Sequence, residues 1–434
     1  MLLRRLSLAL LFFGVSAQAQ DAVTFSDHVC TLRVEDPGEP VDQASLVRLA
    51  PHTVTRVGGG STFEVTYTGF TAEAEAAFQR AVDIWSDHVV SDVPIRVNAQ
   101  FGPLASGVLG GAGPQNAYAN QAAFPLTNTL YPDALADALF GTSLGGTNPD
   151  INATFSSTFN SFYFGLDGNP PSNRFDFVTV VLHELGHGLG VFGSARADDG
   201  AGDPECTGTA GDGCWGFSGF PVVFDRFVED GAGTLFLDEK IYPNPSQELG
   251  ALLISDDLLF DGVTVTTSYD SEPQPVYGPN PFRAGSSFSH WDESAFPPTS
   301  SDAMMTPFIS PGEAWVDPGL NTCAMFADIG WTLGPGCSFL VDDEGAPAGV
   351  AAALRVTSLN PGTGTARLAL DLAAPAAVRA ELTDVLGRRL AVLFDAEAPA
   401  GELALATPAA LAPGSYLVRV VTGGEVQTAR VVRL

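Results

Sequence analysis

One stretch constrains this 434-residue chain more than any other: Val178-Thr179-Val180-Val181-Leu182-His183-Glu184-Leu185-Gly186-His187-Gly188-Leu189-Gly190. At about 100° per residue, Val178, Val181, Leu182, Leu185 and Leu189 share one face, the apolar stripe that a core-facing helix needs. His183 and His187 stand four residues apart and project from one face, about one turn from each other. Upstream, Pro170-Pro171-Ser172-Asn173 supplies a start signal, with Ser172 or Asn173 as N-cap. Gly190 can take the left-handed conformation that ends a helix and turns the chain back.

That spacing lets two imidazole nitrogens reach a single metal at roughly 2 Å each. Glu184 lies beside them, placed to hold a metal-bound water rather than the metal. This is the His-Glu-x-x-His arrangement of zinc peptidases. The bland alternative is a pair of solvated or core-satisfied histidines, yet the pattern here sits on an amphipathic helix and uses two of only six histidines. A catalytic zinc takes three protein ligands and one water. The extended metzincin motif puts its third histidine at position 193, where this chain has Gly193. Of the other histidines, His28 and His52 fall in an irregular N-terminal stretch. His88 falls on an expected helix, as a packed or surface residue. His290 sits in Gly285-Ser286-Ser287-Phe288-Ser289-His290-Trp291-Asp292-Glu293, followed by Ala303-Met304-Met305-Thr306-Pro307, which holds two of the four methionines.

This constellation resembles a leishmanolysin-type metzincin, in which an insertion separates the glycine of the helix motif from the third histidine. The resemblance implies a Zn²⁺ held by His183, His187 and His290, with Glu184 as the catalytic general base. It places Met305, ahead of Thr306-Pro307, in the Met-turn beneath the metal, and makes Leu320 to Trp331 the helix that closes the domain. Rival third ligands are Asp198, Asp199, Asp225 and Glu229, and Met304 is the rival for the turn. The implied fold is an α+β metzincin-like catalytic domain, a twisted mixed sheet with an active-site helix. The implied activity is zinc-dependent hydrolysis of peptide bonds in protein or peptide substrates. Two other readings stay open: a catalytically silent surface adhesin on the same scaffold, and a zinc hydrolase of a non-protein amide.

The N-terminal half accommodates that fold. Thr62 to Phe70 alternates as a strand, and Thr71 can cap a helix to about Val90, with Glu73 and Glu75 favourably placed in its first turn. Ala74, Ala77, Phe78, Ala81, Trp85 and His88 recur at helical spacing as a core face. Val93 to Phe101 reads as a second strand. On the family resemblance, Asp150 to Ser156 is the sheet edge above the cleft, where a substrate adds as an extra strand.

The compartment is written at the N-terminus. Arg4 and Arg5, the apolar run Leu6 to Val15 and Ala17-Gln18-Ala19 form a signal peptide over residues 1–19, and no segment is long and apolar enough to be a transmembrane helix. All five cysteines lie beyond that cut, so disulfides are expected. Sequence proximity pairs Cys206 with Cys214 and Cys323 with Cys337 and leaves Cys30 odd: either it is a free thiol or the local pairing is wrong, with a latency thiolate on the metal as a further alternative. Some 40 residues separate the cut from the first expected strand, too few for a full-sized inhibitory prodomain. The loop Ala197 to Gly213 carries Asp198, Asp199, Asp203 and Asp212. Clustered carboxylates among glycines suit Ca²⁺, although no EF-hand register is present; the alternative is a solvated acidic loop.

Charge divides the chain. The formal net charge is −30, a field that repels nucleic acid and anionic membrane. From Gly349 to Leu434, however, eight arginines face seven acids, so the excess acid belongs to residues 20 to 348. The tail follows the loose stretch Val341-Asp342-Asp343-Glu344-Gly345-Ala346-Pro347 and reads as short strands: Ala366 to Leu372, Val378 to Thr383, Arg389 to Phe394, Tyr416 to Val421 and Val426 to Leu434. Asn360-Pro361, Asp384-x-x-Gly387-Arg388, Ala400-Gly401 and Gly414-x-Tyr416 make it resemble the type A sorting domain of the type IX secretion system, over about 80 residues. That resemblance implies a small all-β Ig-like sandwich that engages the type IX secretion machinery. The protein would then be exported across a bacterial outer membrane, secreted or attached at the cell surface. The expected domains are a signal peptide (1–19), a short N-terminal segment (20–60), the zinc peptidase domain (61–338), a linker (339–350) and the sorting sandwich (351–434).

Overall fold

Alternating apolar residues build the sheet that carries the histidine helix. Its strands are β1 (Cys30–Val34), β2 (Phe63–Thr68), β3 (Ile95–Gly102), β4 (Val108–Pro114), β5 (Ile151–Ser156) and β6 (Phe308–Ile309). The computed structural model describes residues 21–24, 30–34, 60–198, 206, 209–268, 272–337, 352–360, 365–384, 389–408, 414–422 and 425–433. The expected signal peptide and the expected linker lie outside these residues.

The strand order is β6-β1-β4-β5-β3-β2. β2, β3 and β5 run parallel, in the register Val65↔Val97↔Ile151. β4 is antiparallel to β5 and β1 antiparallel to β4, while β6 joins β1 in parallel. The sheet is therefore mixed. Ile95, Val97, Ala99, Ile151, Ala153 and Phe155 alternate inward along β3 and β5 and are buried.

Helices fill one side of that pattern. The principal ones are α1 (Ala72–His88), α2 (Asp133–Phe140), α3 (Phe177–Leu189) and α4 (Gly319–Ile329). In α1, Thr71 accepts a hydrogen bond from the Ala74 N–H at 3.2 Å, and the expected face from Ala74 to His88 is buried. Trp85 of that face donates its indole N–H to the Leu182 carbonyl of α3 at 2.9 Å. Phe78 of α1 and Phe177 of α3 both meet Phe155 of β5 edge-on, at 5.7 and 5.4 Å between ring centres. Truncating Phe155 to alanine at this junction costs about 3–5 kcal/mol.

Two expectations are corrected here. Asp150 to Ser156 is not the sheet edge: β5 lies inside, with β4 and β3 on its two sides. The strand that displaces it, β4, hides because Val108-Leu109-Gly110-Gly111-Ala112-Gly113-Pro114 has no alternation. Its glycines answer to packing, since a β-carbon on Gly110 would stand 2.8 Å from the Phe155 ring. The N-terminal stretch is also not wholly irregular, because Asp21–Thr24 pairs with Asn116–Ala119 and β1 enters the main sheet.

The C-terminal part forms seven antiparallel strands in two sheets. Ala352–Asn360, Thr365–Leu372 and Gly401–Ala406 make one; Arg389–Ala398, Ala376–Asp384, Gly414–Thr422 and Glu425–Arg433 make the other. Five were expected, and Ala352–Asn360 and Gly401–Ala406 are additional. Leu368, Leu370, Val378, Ala380, Leu382, Val418 and Val420 close a core separate from that around α3. Residues 385–388 of the Asp-x-x-Gly-Arg turn lie outside the described residues. The whole is a mixed α/β chain of several sheets and few helices, with no closed barrel among the described residues. No helix among them is long and apolar enough to cross a membrane.

Candidate metal centre

Helix α3 starts later than its upstream turn signal suggests. Phe175–Asp176 first pairs in parallel with Phe162–Tyr163, and Asp176 is the N-cap instead of Ser172 or Asn173. Its Oδ2 accepts from the Thr179 N–H at 2.9 Å and from the Thr179 hydroxyl at 2.8 Å. Burial pushes the Asp176 carboxyl up to about 7, against the pull of those hydrogen bonds. The signal was legible: an aspartate directly before the apolar run is itself a capping residue. Every residue of α3 is buried, so the helix is enclosed on all sides and not on its leucine face alone. Gly190, at φ +135°, ends it by donating to the Gly186 and His187 carbonyls, each at 3.1 Å.

The sequence-expected histidines converge. His183 Nε2 lies 3.0 Å from His187 Nε2, His187 Nε2 lies 3.1 Å from His290 Nε2, and His290 Nε2 lies 3.2 Å from His183 Nε2. The other ring nitrogen of each faces a backbone carbonyl: His183 Nδ1 donates to Met304 O at 2.7 Å, His187 Nδ1 to Val191 O at 2.5 Å and His290 Nδ1 to Ser286 O at 2.7 Å. A carbonyl can only accept, so each proton sits on Nδ1 and each Nε2 presents a bare lone pair. Three lone pairs facing one another with no proton between them repel. A cation resolves the conflict. Ligands at about 2.0–2.1 Å in a tetrahedral shell stand about 3.3 Å apart, close to this triangle. Burial pushes the His183 imidazole down to about 4, and burial with the neighbouring rings holds His187 and His290 well below their usual range. Neutral imidazole is the ligand form. Glu184 lies between the two helix histidines in sequence and is also buried.

A distant segment delivers His290. Tyr277 N–H donates to His290 O at 2.9 Å, Phe288 N–H to Tyr277 O at 2.8 Å and Trp291 N–H to Met305 O at 3.0 Å. Position 193, where the extended motif would hold a histidine, leaves no room for any side chain. A β-carbon there would collide with the Phe288 ring, and Gly193 N–H instead binds Ser289 Oγ at 3.1 Å. Met304 and Met305 both engage α3. Met304 accepts from His183 through its carbonyl, and Met305 Sδ lies 2.8 Å from where a Gly186 β-carbon would stand. That Met304 backbone role carries no sequence signal.

The rival residues lie elsewhere. Asp225 is spent on Ser194 N–H and Val222 N–H, each at 2.9 Å, and on the Ser194 hydroxyl. Glu229 sits in the strand Val228–Asp230, paired with Leu259. Asp198 exchanges backbone hydrogen bonds with Asp212 and Gly211, while Asp199 and Asp203 lie outside the described residues. Among the described residues, no metal-compatible group includes Asp198. His88 packs in the core, its Nδ1 donating to Ile84 O at 2.7 Å. Its neighbours Cys323 and Cys337 are joined as a disulfide, as are Cys206 and Cys214, so neither pair offers a thiolate. Cys30 belongs to β1, and its side chain lies outside the described residues.

No protein-family model and no curated protein matches this chain.

Proposed function

We propose that this chain is an exported zinc endopeptidase. The observation that carries the reading is the triangle of bare Nε2 lone pairs, locked from behind by three carbonyls, with the buried Glu184 next to His183 in sequence. Imidazole donors suit zinc, and a three-histidine set leaves the fourth tetrahedral position open for chemistry. The mixed sheet, the paired helices α1 and α3, the late third histidine and Met305 packed beneath Gly186 support a metzincin-like scaffold.

Bound zinc supplies Lewis acidity to the scissile carbonyl and acidifies the attacking water. The chain supplies the rest. His183, His187 and His290 arrive neutral and pre-oriented, so little reorganisation accompanies metal loading. Glu184 takes the water's proton at a carboxylate oxygen and passes it to the leaving amine nitrogen. No tyrosine lies between Met305 and Pro318, so backbone N–H groups are the chain's own donors to the developing oxyanion. On the same reading, the C-terminal strands are the Ig-like sorting module that hands the protein to the type IX machinery.

Glu184→Gln tests the mechanism. Zinc content by elemental analysis should stay at one equivalent while casein hydrolysis falls about 10²–10⁴-fold, the usual contribution of a general base. Casein cleavage at the wild-type rate would remove Glu184 from the chemistry. A zinc-loaded wild type that cleaves no protein would shift the reading to an adhesin or to a hydrolase of another amide.

A further inference from the structure

We propose a second metal site, for Ca²⁺, formed by Asp133, Asp137 and Asp150 and independent of the peptidase reading. Asp133 and Asp137 lie one turn apart on α2, and Asp150 directly precedes β5. One carboxylate oxygen from each lies within 4.8 Å of the other two. None of the three residues is more than 2% exposed.

Each carboxylate is half used. Asp133 Oδ2 accepts from Asn116 Nδ2 at 2.9 Å, Asp137 Oδ1 from Leu144 N–H at 2.7 Å and Asp150 Oδ2 from Arg96 N–H at 2.7 Å. The second oxygens, Asp133 Oδ1, Asp137 Oδ2 and Asp150 Oδ1, have no hydrogen-bond partner among the described residues. Arg96 offsets this charge only in part: it draws the Asp137 and Asp150 carboxyls down, but its direct contacts go elsewhere, Nε lying 3.1 Å from Glu64 and Nη1 donating to Gly146 O at 3.1 Å. Three anions withdrawn from water must be paired, protonated or bound to a metal. Without an ion, burial and mutual repulsion raise the Asp133 carboxyl to about 8 and the Asp150 carboxyl to about 7.

The donor set selects the ion. It is all hard oxygen with no imidazole or thiolate, which disfavours zinc. Ca²⁺ binds six to eight oxygens at about 2.3–2.6 Å, so its ligands stand up to about 5 Å apart, whereas Mg²⁺ keeps several waters and rarely takes an all-protein cage. Gly145 borders the cluster without a side chain; a β-carbon there would lie 3.6 Å from both Asp133 oxygens and 3.4 Å from the Tyr118 hydroxyl. Filled, the site ties the strand Asn116–Ala119, α2, the 143–146 turn and the head of β5. β5 in turn supports α3, for Ile151 Cγ2 lies 2.5 Å from where a Gly188 β-carbon would stand.

The test uses the full chain, stripped on a chelating resin and given one equivalent of zinc. Calcium chloride is titrated by calorimetry to about 10 mM, beyond the affinity range of extracellular calcium modules. One saturable site and a rise in melting temperature of about 5 °C or more are expected. Asp137→Asn should abolish both and should melt no lower than wild type without calcium, because a like charge has been removed. Asp133→Asn repeats the test should that variant fold poorly, and Tb³⁺ luminescence excited through Tyr118 reads the wild type alone. No saturable Ca²⁺ binding overturns the proposal. So does undiminished binding in both variants, which would move the ion to the 198–212 loop, or an equal response to Mg²⁺.

Discussion

His183 Nε2 and His290 Nε2 lie 3.2 Å apart although 107 positions separate them in the chain. One short turn holds both. His183 Nδ1 donates to Met304 O and Trp291 N–H donates to Met305 O, so the methionine turn clamps the helix histidine and the segment that carries His290 to each other. Replacing His290 with alanine removes one corner of the triangle and leaves that clamp intact. Zinc affinity should fall by more than about 100-fold, the upper end of what losing only a ligand's supporting hydrogen bond costs. Zinc content after dialysis reads it directly, and a full retained equivalent would mean that another residue is the third ligand.

Gly193→Ala probes how the 285–291 segment is seated beside α3. The added methyl meets the Phe288 ring, which is fully buried and held at φ +66°, two residues before His290. Overpacking of this kind costs about 1–3 kcal/mol. The expected result is a lower melting temperature together with weaker zinc retention, because relief requires the 285–291 segment to shift. Wild-type zinc retention and an unchanged melt would show that Phe288 moves freely, against its packing between Phe224 and Phe236.

Local chemistry made α1 and α3 legible. Thr71 caps as its side chain predicts, and the His183/His187 pair follows from a period of four. The two disulfides follow from proximity in sequence. Scarce histidines narrow the choice, and His290 is singled out by the resemblance of its segment and of Met304-Met305 to the metzincin pattern. Long-range pairing was not legible: β4 is glycine-rich and β1 is only five residues, so neither shows a strand period that could announce where it pairs. The Asp133 cluster left a fainter trace. Asp133-Ala134-Leu135-Ala136-Asp137 places like charges four apart on an apolar helix, an unfavourable pair. The third carboxylate, Asp150, joins only through the fold.

Those aspartates set a pH dependence with a defined sign. Asp133 has its carboxyl raised from 3.8 to about 8 by burial and by Asp150 and Asp137, opposed by Asn116. A raised folded-state value means that this group's stabilisation is complete below pH 4 and is lost as pH climbs through 8. In calcium-free buffer, Asp133→Asn should therefore gain on wild type progressively between pH 4 and 8. Saturating calcium should reverse the order at pH 8, since only wild type keeps the site. Melting temperatures of both proteins, with and without calcium across that range, provide the check. A difference that does not vary with pH would mean that Asp133 does not titrate in the fold.

Access to the three-histidine centre sets a further expectation. β1 fills the lane between β4 and β6, antiparallel to the first and parallel to the second, and both β1 and β4 lie against α3. His183, Glu184, His187 and His290 are each at most 1% exposed. If an extended peptide is to pair with β4 as an added strand, β1 must first leave. A minor open state populated at 10% or less slows turnover about tenfold or more relative to a chain whose lane is empty. A protein beginning at Gly60 should thus cleave long peptides with kcat/KM raised at least about tenfold, at unchanged zinc content. Its melting temperature should fall, because the ladders of β1 to β4 and β6, and of Asp21–Thr24 to Asn116–Ala119, are gone. Loss of activity together with zinc would instead make β1 an integral strand of the sheet, with substrate entering by another path.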